Sequence, residues 1–243
     1  MTSSIEPQTW EPEGPLAPPT PASPPSSKTL TGTHVTLTPL LESHTAALYP
    51  HLGGSQNAHL YQYIPEGPFQ TPEAFADGIR KLISWDFFVP YAVLVKNEPV
   101  GIITYLNVNV PHRSIEIGHI LYSEKLKRTT AATEAVSLLM REAVEELGFL
   151  RVEWKCNLRN KPSYRAAERF GFRYEVGFLE IGWISSVIEV LICSQGIFRK
   201  HMVIKGRIRD TAVRLFPFPL SFSLQVNQLR EEIKQENWRR NKF

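Results

Sequence analysis

From His34 onward the spacing of apolar residues switches repeatedly between a two-residue period and a helical one. "HVTLTPL" (34–40) alternates as a strand does, and "LESHTAALYPHL" (41–52) follows with helical spacing and Ser43 as a candidate cap. "TPEAFADGIRKLISW" (71–85) predicts a second helix. Thr71 can cap it, Pro72 suits its first position, and Phe75, Ile79 and Leu82 share one face. "PYAVLVK" (90–96) and "EPVGIITYLNVNV" (98–110) read as a hairpin turning at Asn97–Glu98, and "SIEIGHILY" (114–122) as a third strand. "TTAATEAVSLLMREAVEELG" (129–148) is helical, with Ala135, Leu138, Leu139, Ala143 and Leu147 on one side and Gly148 as the stop. "FLRVEWKC" (149–156) is a strand, "KPSYRAAERFG" (161–171) a short helix, and "FRYE" (172–175) opens another strand. Strand, two helices, three antiparallel strands, helix, strand, helix, strand is the order of an α+β domain. It implies a central mixed, mostly antiparallel, twisted sheet flanked by helices, without internal repeats.

Two regions break this pattern. Residues 1–29 are rich in Pro, Ser and Thr with little to bury, which predicts a disordered tail over 1–31; a Pro-rich docking ligand is the alternative. In 171–206, "GFRYE" and "GIFRKHMVIKG" would form one alternating strand were it not for the apolar, aperiodic stretch Val176–Gln195.

A chain of 243 residues with 42% apolar and 21% charged residues can bury the core of one domain with tails. The net charge of +3 is too mild to predict nucleic-acid binding, though it leaves room for a basic pocket that takes an anion. Cys156 and Cys193 give neither a disulfide framework nor metal spacing, and His112, His119 and His201 show no metal spacing either; no metal site is expected. The histidines are expected at surface or satisfied positions, and Cys156 as a small buried residue. There is no secretory signal pattern, and "IGWISSVIEVLIC" is shorter than the roughly 20 residues that span a bilayer. A cytoplasmic protein is the expectation, with no membrane partner.

The junction from "IEIGHILY" through "SEKLKRTT" into "AATEAVSLLM" carries the candidate chemistry. A strand entering a helix through a short loop leaves the first-turn N–H groups free, and these, with the helix dipole, attract an anion. Thr129, Thr130, Ala131, Ala132 and Thr133 are small enough to let a phosphate reach the backbone, and Lys127 and Arg128 add charge. A Thr-capped helix with two exposed bases is the alternative. Neither a Walker motif nor GxGxxG is present.

Over residues 32–212 the sequence resembles the GNAT N-acetyltransferase superfamily, in its RimJ/RimL-like branch. "KRTTAATEA" is similar to the acyl-CoA pyrophosphate loop, with Lys127 at the basic position, Thr130 at the usual glycine and Ala132 at the last small position. "LYQYIPEGPF" (60–69), "RVEWKCNLRNKPSYRAAERFGFRYE" (151–175) and "FRKHMVIKGRIRDTA" (198–212) resemble further segments of that branch. The resemblance implies the GNAT fold, strands that splay at the acyl-CoA site, acetyl-CoA as co-substrate, and an amine acceptor. It places Ile120, Leu121 and Tyr122 along the pantetheine arm and Asn160 in contact with it.

The resemblance also implies that Tyr61, Tyr63 and Phe69 line the acceptor side; as plain core aromatics they are equally well accounted for. Glu116, flanked by Ile115 and Ile117, reads as general base, directly or through water, against the alternative of a salt-bridged carboxylate. Ser163 is a helix-cap candidate that in relatives protonates the leaving thiolate, and Tyr164 is a weaker acid candidate. Two functions follow: acetyl transfer to a protein N-terminal amine or a small amine by direct attack, or a catalytically silent acyl-CoA-binding protein.

Against relatives, deleting 176–195 restores an ungapped match, "GFRYEGIFRKHMVIKGRIRDTA". Val176–Gly177 can be encoded GTGGGT, Leu191–Ile192 CTGAT and Gln195 CAG, the pattern of donor, branch point and acceptor. The stretch is therefore expected to be translated intron, with a genuine strand extension as the alternative. Residues 213–243 depart from relatives as well and read as an atypical tail.

Overall fold

The computed structural model describes residues 16–174, 197–205 and 207–215. The expectations for 176–195, for 216–243 and for the side chain of His201 fall outside the described residues. The strands are β1 (Leu30–Thr31), β2 (Thr36–Pro39), β3 (Phe88–Val95), β4 (Glu98–Asn109), β5 (Ser114–Tyr122), β6 (Arg151–Asn157), β7 (Arg173–Tyr174), β8 (Ile197–Ile204) and β9 (Arg207–Leu215). The helices are α1 (Thr45–Leu52), α2 (Pro72–Ile83), α3 (Thr130–Arg141) and α4 (Lys161–Arg169). One sheet runs β1-β2-β3-β4-β5-β6-β9-β7, with β8 also paired to β9. Among the described strands only β5 and β6 pair in parallel, the connection that α3 supplies by crossing over. The α+β reading stands.

Helices cover both faces. Ala135, Leu138, Leu139 and Ala143 join Ile103, Ile115, Ile117 and Val152 in one buried cluster, so the predicted face of α3 is the buried one. On the other face Phe75, Ile79 and Leu82 of α2 pack with Leu48, Leu52, Ile102 and Leu121. The α2 start is as predicted: Thr71 Oγ1 accepts from the Ala74 N–H at 3.2 Å, with Pro72 in the first turn. After α3 the chain takes a π turn over Glu142–Glu146, and Gly148, at φ +73°, ends it.

Three local expectations are corrected. The β3–β4 hairpin turns at Lys96–Asn97, one residue earlier than Asn97–Glu98. Both residues have positive φ (52° and 66°), as the turn that matches strand twist requires, and Glu98 already pairs with Val95. Ser43 is not a cap; it lies inside a 3-10 turn over Glu42–His44, where the Leu41 N–H is taken by His44 Nδ1 at 3.2 Å. Order also starts before His34. Leu30 and Thr31 pair with Leu37 and Thr36, the Ser23 N–H donates to the Leu147 carbonyl at 2.9 Å, and Lys28 reaches Glu146 at 2.5 Å. Prolines lower the entropy lost when such a segment lies extended, and buried Ala22 and Leu30 add to these contacts.

The sheet's far end bears on the apolar stretch. β7 and β8 lie on the same side of β9, with Tyr174 opposite Arg214 and Ile197 opposite Ala212. Only Val213 separates those two partners. The chain therefore leaves and rejoins the edge of β9 at one place. β9 also continues past residue 212, moving the start of the atypical tail: Val213 and Arg214 are buried, and the Arg214 guanidinium lies 4.0 Å from the Tyr164 ring centroid.

Deleting 176–195 would set Glu175 and Gly196 opposite Val213, two residues against one, which is a β-bulge rather than a break. The shortened protein is expected to fold, to be more soluble and to melt a few degrees higher by circular dichroism. A lower melting point would show that the stretch is integral.

Candidate active site

β5 and β6 pair only at Ser114–Arg151, Ile115–Val152 and Glu116–Glu153, and no pairing follows towards Tyr122 and Asn157. The strands thus part into a wedge whose vertex is Glu116. Opposite, the β4–β5 register slips between Ile102 and Thr104, and His119 takes up the slack at φ +45°. Such a bulge resets which side chains face which way. Past it, Ile120 and Tyr122 pack on the α3 side and Leu121 on the α2 side, with their backbone along the wedge.

Glu116 is 4% exposed. Its Oε2 accepts from Lys155 Nζ at 2.9 Å and from Asn107 Nδ2 at 2.7 Å. Burial raises its pKa above the usual carboxylate value, and Lys155 opposes but does not cancel that rise. Lys155 also binds Glu153 Oε2 at 2.5 Å. For Glu153 burial likewise pushes upward, but Lys155 and Arg151 together outweigh it and the net shift is down. Two carboxylates at one vertex are thereby driven apart in acidity. The ion pair and the base candidacy coexist in the same group.

At the top of the wedge α3 begins. Thr129 is its N-cap: Oγ1 accepts from the Ala132 N–H at 3.2 Å and donates to the Leu126 carbonyl at 2.7 Å. Thr130, where a glycine is usual, stands in the first helical turn with ordinary dihedrals; the left-handed residue is Arg128, at φ +61°. A threonine at 130 is therefore unstrained. A cavity of about 470 Å³ opens beside Thr129, Thr130 and Ala131 on the side of Gly32–Thr36 and the Lys96–Asn97 turn, and its lining includes no residue of β5 or β6. Thr133 is buried one turn on. Lys127 is less available than its sequence position suggests, because Nζ is 2.7 Å from Glu124. Arg128 is exposed and makes no ion pair among the described residues. Glu134 has a structural duty, accepting from the N–H groups of Thr33, His34 and Val35 at 2.9, 2.6 and 3.1 Å.

On the β6 side Asn160, not Ser163, caps α4, its Oδ1 accepting from the Ser163 N–H at 3.2 Å. Pro162 already sits in the first turn, so the cap falls one position before Lys161. Ser163 Oγ accepts from the Trp154 indole at 3.0 Å, which leaves its own hydrogen to donate elsewhere. Tyr63 OH donates to the Arg159 carbonyl at 2.9 Å, joining the acceptor-side segment to the turn that carries Asn160. Tyr61 and Phe69 pack edge to face at 5.6 Å; Tyr61 is buried, and its hydroxyl has no hydrogen-bond partner among the described residues. Tyr164 lies against Arg214, a packing role, and Cys156 is buried, as expected. His112 is exposed, but His119 is not the surface or satisfied residue expected: its side chain is 12% exposed and makes no hydrogen bond among the described residues.

The α3 N-terminus, which attracts an anion through its dipole, and the parting edges of β5 and β6 are the two features that the strand–loop–helix junction brings together. The sequence model of the family described as "Acetyltransferase (GNAT) domain" matches residues 34–173, more than half of the chain. The chain belongs to the GNAT acetyltransferase family. It resembles the structure of a GCN5-related N-acetyltransferase from Brucella melitensis, at 31% identity and TM-score 0.75, over 88% of this chain and 89% of that one. A probable GNAT acetyltransferase from Chromobacterium violaceum matches at 32% identity and TM-score 0.71, over 85% and 95%. An acetyltransferase from Salmonella typhimurium that modifies the N-terminal serine of ribosomal protein L7/L12 shares the fold at 16% identity and TM-score 0.62, over 79% and 100%. No curated protein matches. The chain is thus an N-acetyltransferase of this family, and acetyl-CoA is its acetyl donor. Among the described residues, no helix is long and apolar enough to cross a membrane.

Sequence reasoning did not single out Lys155, although alternation in "RVEWKCN" puts Glu153 and Lys155 on one face. It also passed over Asn107, whose partner becomes visible only with the β4–β5 register. Lys155→Met would remove the charge that lowers the Glu116 pKa, so Glu116 would stay protonated to higher pH. The acid limb of kcat/KM should then move upward by roughly 1–3 pH units, measured as a pH–rate profile; an unmoved limb would dissociate Glu116 from the rate.

Proposed function

We propose that this enzyme transfers the acetyl group of acetyl-CoA to a primary amine, a protein N-terminus or a small molecule, by direct attack in a ternary complex. The observation that carries the reading is Glu116: a buried carboxylate of raised pKa at the vertex of the wedge, fixed by Asn107 and Lys155. An ammonium must lose a proton before nitrogen can attack, and a carboxylate with its pKa shifted towards neutrality can accept that proton, directly or through one water. Bound acetyl-CoA would supply the thioester. Arg128 and the N–H groups of Thr130 and Ala131 would hold its diphosphate, and Ile120, Leu121, Tyr122 and Asn160 its arm. Ser163, whose oxygen accepts from Trp154, would offer its hydrogen to the departing sulfur. Tyr61, Tyr63 and Phe69 would border the acceptor. Membership of the RimJ/RimL-like branch and a cytoplasmic location belong to the same proposal.

Turnover of acetyl-CoA against a panel of amines, with the protein lacking 176–195, tests it. Glu116→Gln should lower kcat about a hundredfold or more while the Kd for acetyl-CoA, by calorimetry, stays within a factor of about two. Tight binding without turnover in both proteins would favour the silent acyl-CoA-binding alternative, and no affinity for coenzyme A would end both readings.

A further inference from the structure

A small cavity of about 20 Å³ lies between the β5 bulge, α2 and the segment before Phe69. That volume holds one water-sized group. Its lining includes Glu66, His119 and the rings of Tyr61, Phe69, Phe75 and Trp85. Glu66 Oε2 is buried and makes no hydrogen bond among the described residues, a costly condition for a carboxylate oxygen. It is 3.9 Å from His119 Nδ1, too far to be satisfied by it. Burial, only partly opposed by Glu66, lowers the His119 pKa, so the ring is neutral at neutral pH and offers a nitrogen lone pair.

We propose that Glu66 and His119 form the subsite for the acceptor's ammonium head, with the carboxylate matching its charge and the neutral imidazole accepting a second N–H. The inference rests on the amine-acetylation reading and deepens it. A –NH₃⁺ group is about the size of a water, brings three donors to a place with unfilled acceptors, and is attracted to aromatic faces. The lining takes His119 and Leu121 from β5, the strand proposed to hold the thioester arm. Hydroxyl acceptors of the same size would leave Glu66 without a counter-charge, so the pair selects amines over alcohols. Protonated His119 would instead compete for Glu66, so amine binding should be lost as pH falls through the His119 pKa, below the ordinary 6.5. The other titratable groups lining the cavity are Tyr61, with its pKa raised by burial, and exposed Lys81, whose Nζ lies 5.6 Å from the Trp85 ring centroid.

Two probes of one size, propylammonium and 1-propanol, are titrated into the full chain while the His119 Cε1–H resonance is followed. Propylammonium should move that resonance and lower the ring's titration midpoint, and propanol should do neither. Glu66→Gln should weaken propylammonium about tenfold or more and leave acetyl-CoA affinity unchanged. His119→Asn, a residue that tolerates the left-handed backbone, should abolish the acid loss of amine binding. In turnover, Glu66→Gln should raise KM for a primary amine more than it lowers kcat. Equal responses to the two probes, or an unaltered response in Glu66→Gln, would overturn the proposal and leave a water site. Failure of the unsubstituted enzyme to acetylate any amine sinks the catalytic reading instead, and the propylammonium titration still decides whether the subsite exists.

Discussion

Glu116 and Glu153 face each other across the last paired position of β5 and β6, and Lys155 lies between them. Two neighbouring carboxylates in a half-buried sheet repel, and a single ammonium within 3 Å of both removes that conflict. The divergence of the strands begins at this contact. On the near side, three residue pairs of parallel ladder hold β5 to β6; beyond it, the strand edges turn towards whatever enters the wedge. The bulge at His119 performs the matching adjustment on the β4 side, so β5 can leave β6 without leaving β4. The mouth of α3 and the cap of α4 then stand on either side of the opening.

The sheet and α3 were legible because their signals are periodic and local. Alternation in 114–122 and the apolar stripe of 129–148 require only the geometry of one element. The cap at Thr71 was legible because it is the strongest local acceptor before the helix, and the cap of α4 was misread because Asn160 and Ser163 compete. The site was legible in outline through the "TTAATEA" junction, yet its electrostatics were not. The partners of Glu116 lie 9 and 39 residues away, and sequence spacing does not encode which strands touch. His119 was misjudged for a related reason: a bulge changes the facing of later residues, and nothing in "IEIGHILY" marks where the slip occurs.

The interrupted strand shows what a sheet tolerates. A hydrogen-bonded edge specifies register position by position, so two segments separated in sequence can share one edge if both meet their own partners. β7 supplies two such positions and β8 the next, on either side of Val213. All of the candidate site residues precede this region in sequence, and the last of them, Lys155, Asn160 and Ser163, lie on β6 and at the start of α4, which are held to β9 by pairing along Glu153–Asn157 and by Arg214 through Glu168 and Tyr164. An excursion from the far edge of β9 perturbs the site only if it weakens β9 itself.

Burying an ion pair such as Glu116–Lys155 is a poor way to stabilise a protein, because desolvation of both ions offsets most of their attraction. An apolar pair of the same volume would serve stability as well. What an apolar pair could not provide is a carboxylate whose affinity for a proton is set by two opposing influences, burial raising it and Lys155 lowering it. Burial alone would raise the Glu116 pKa further, and an exposed salt bridge would lower it and make the carboxylate a weaker base. The intermediate case requires a partner near enough to stabilise the anion and a site dry enough to keep that stabilisation incomplete. The vertex of two parting strands meets both conditions, since one side is packed sheet and the other opens to the substrate.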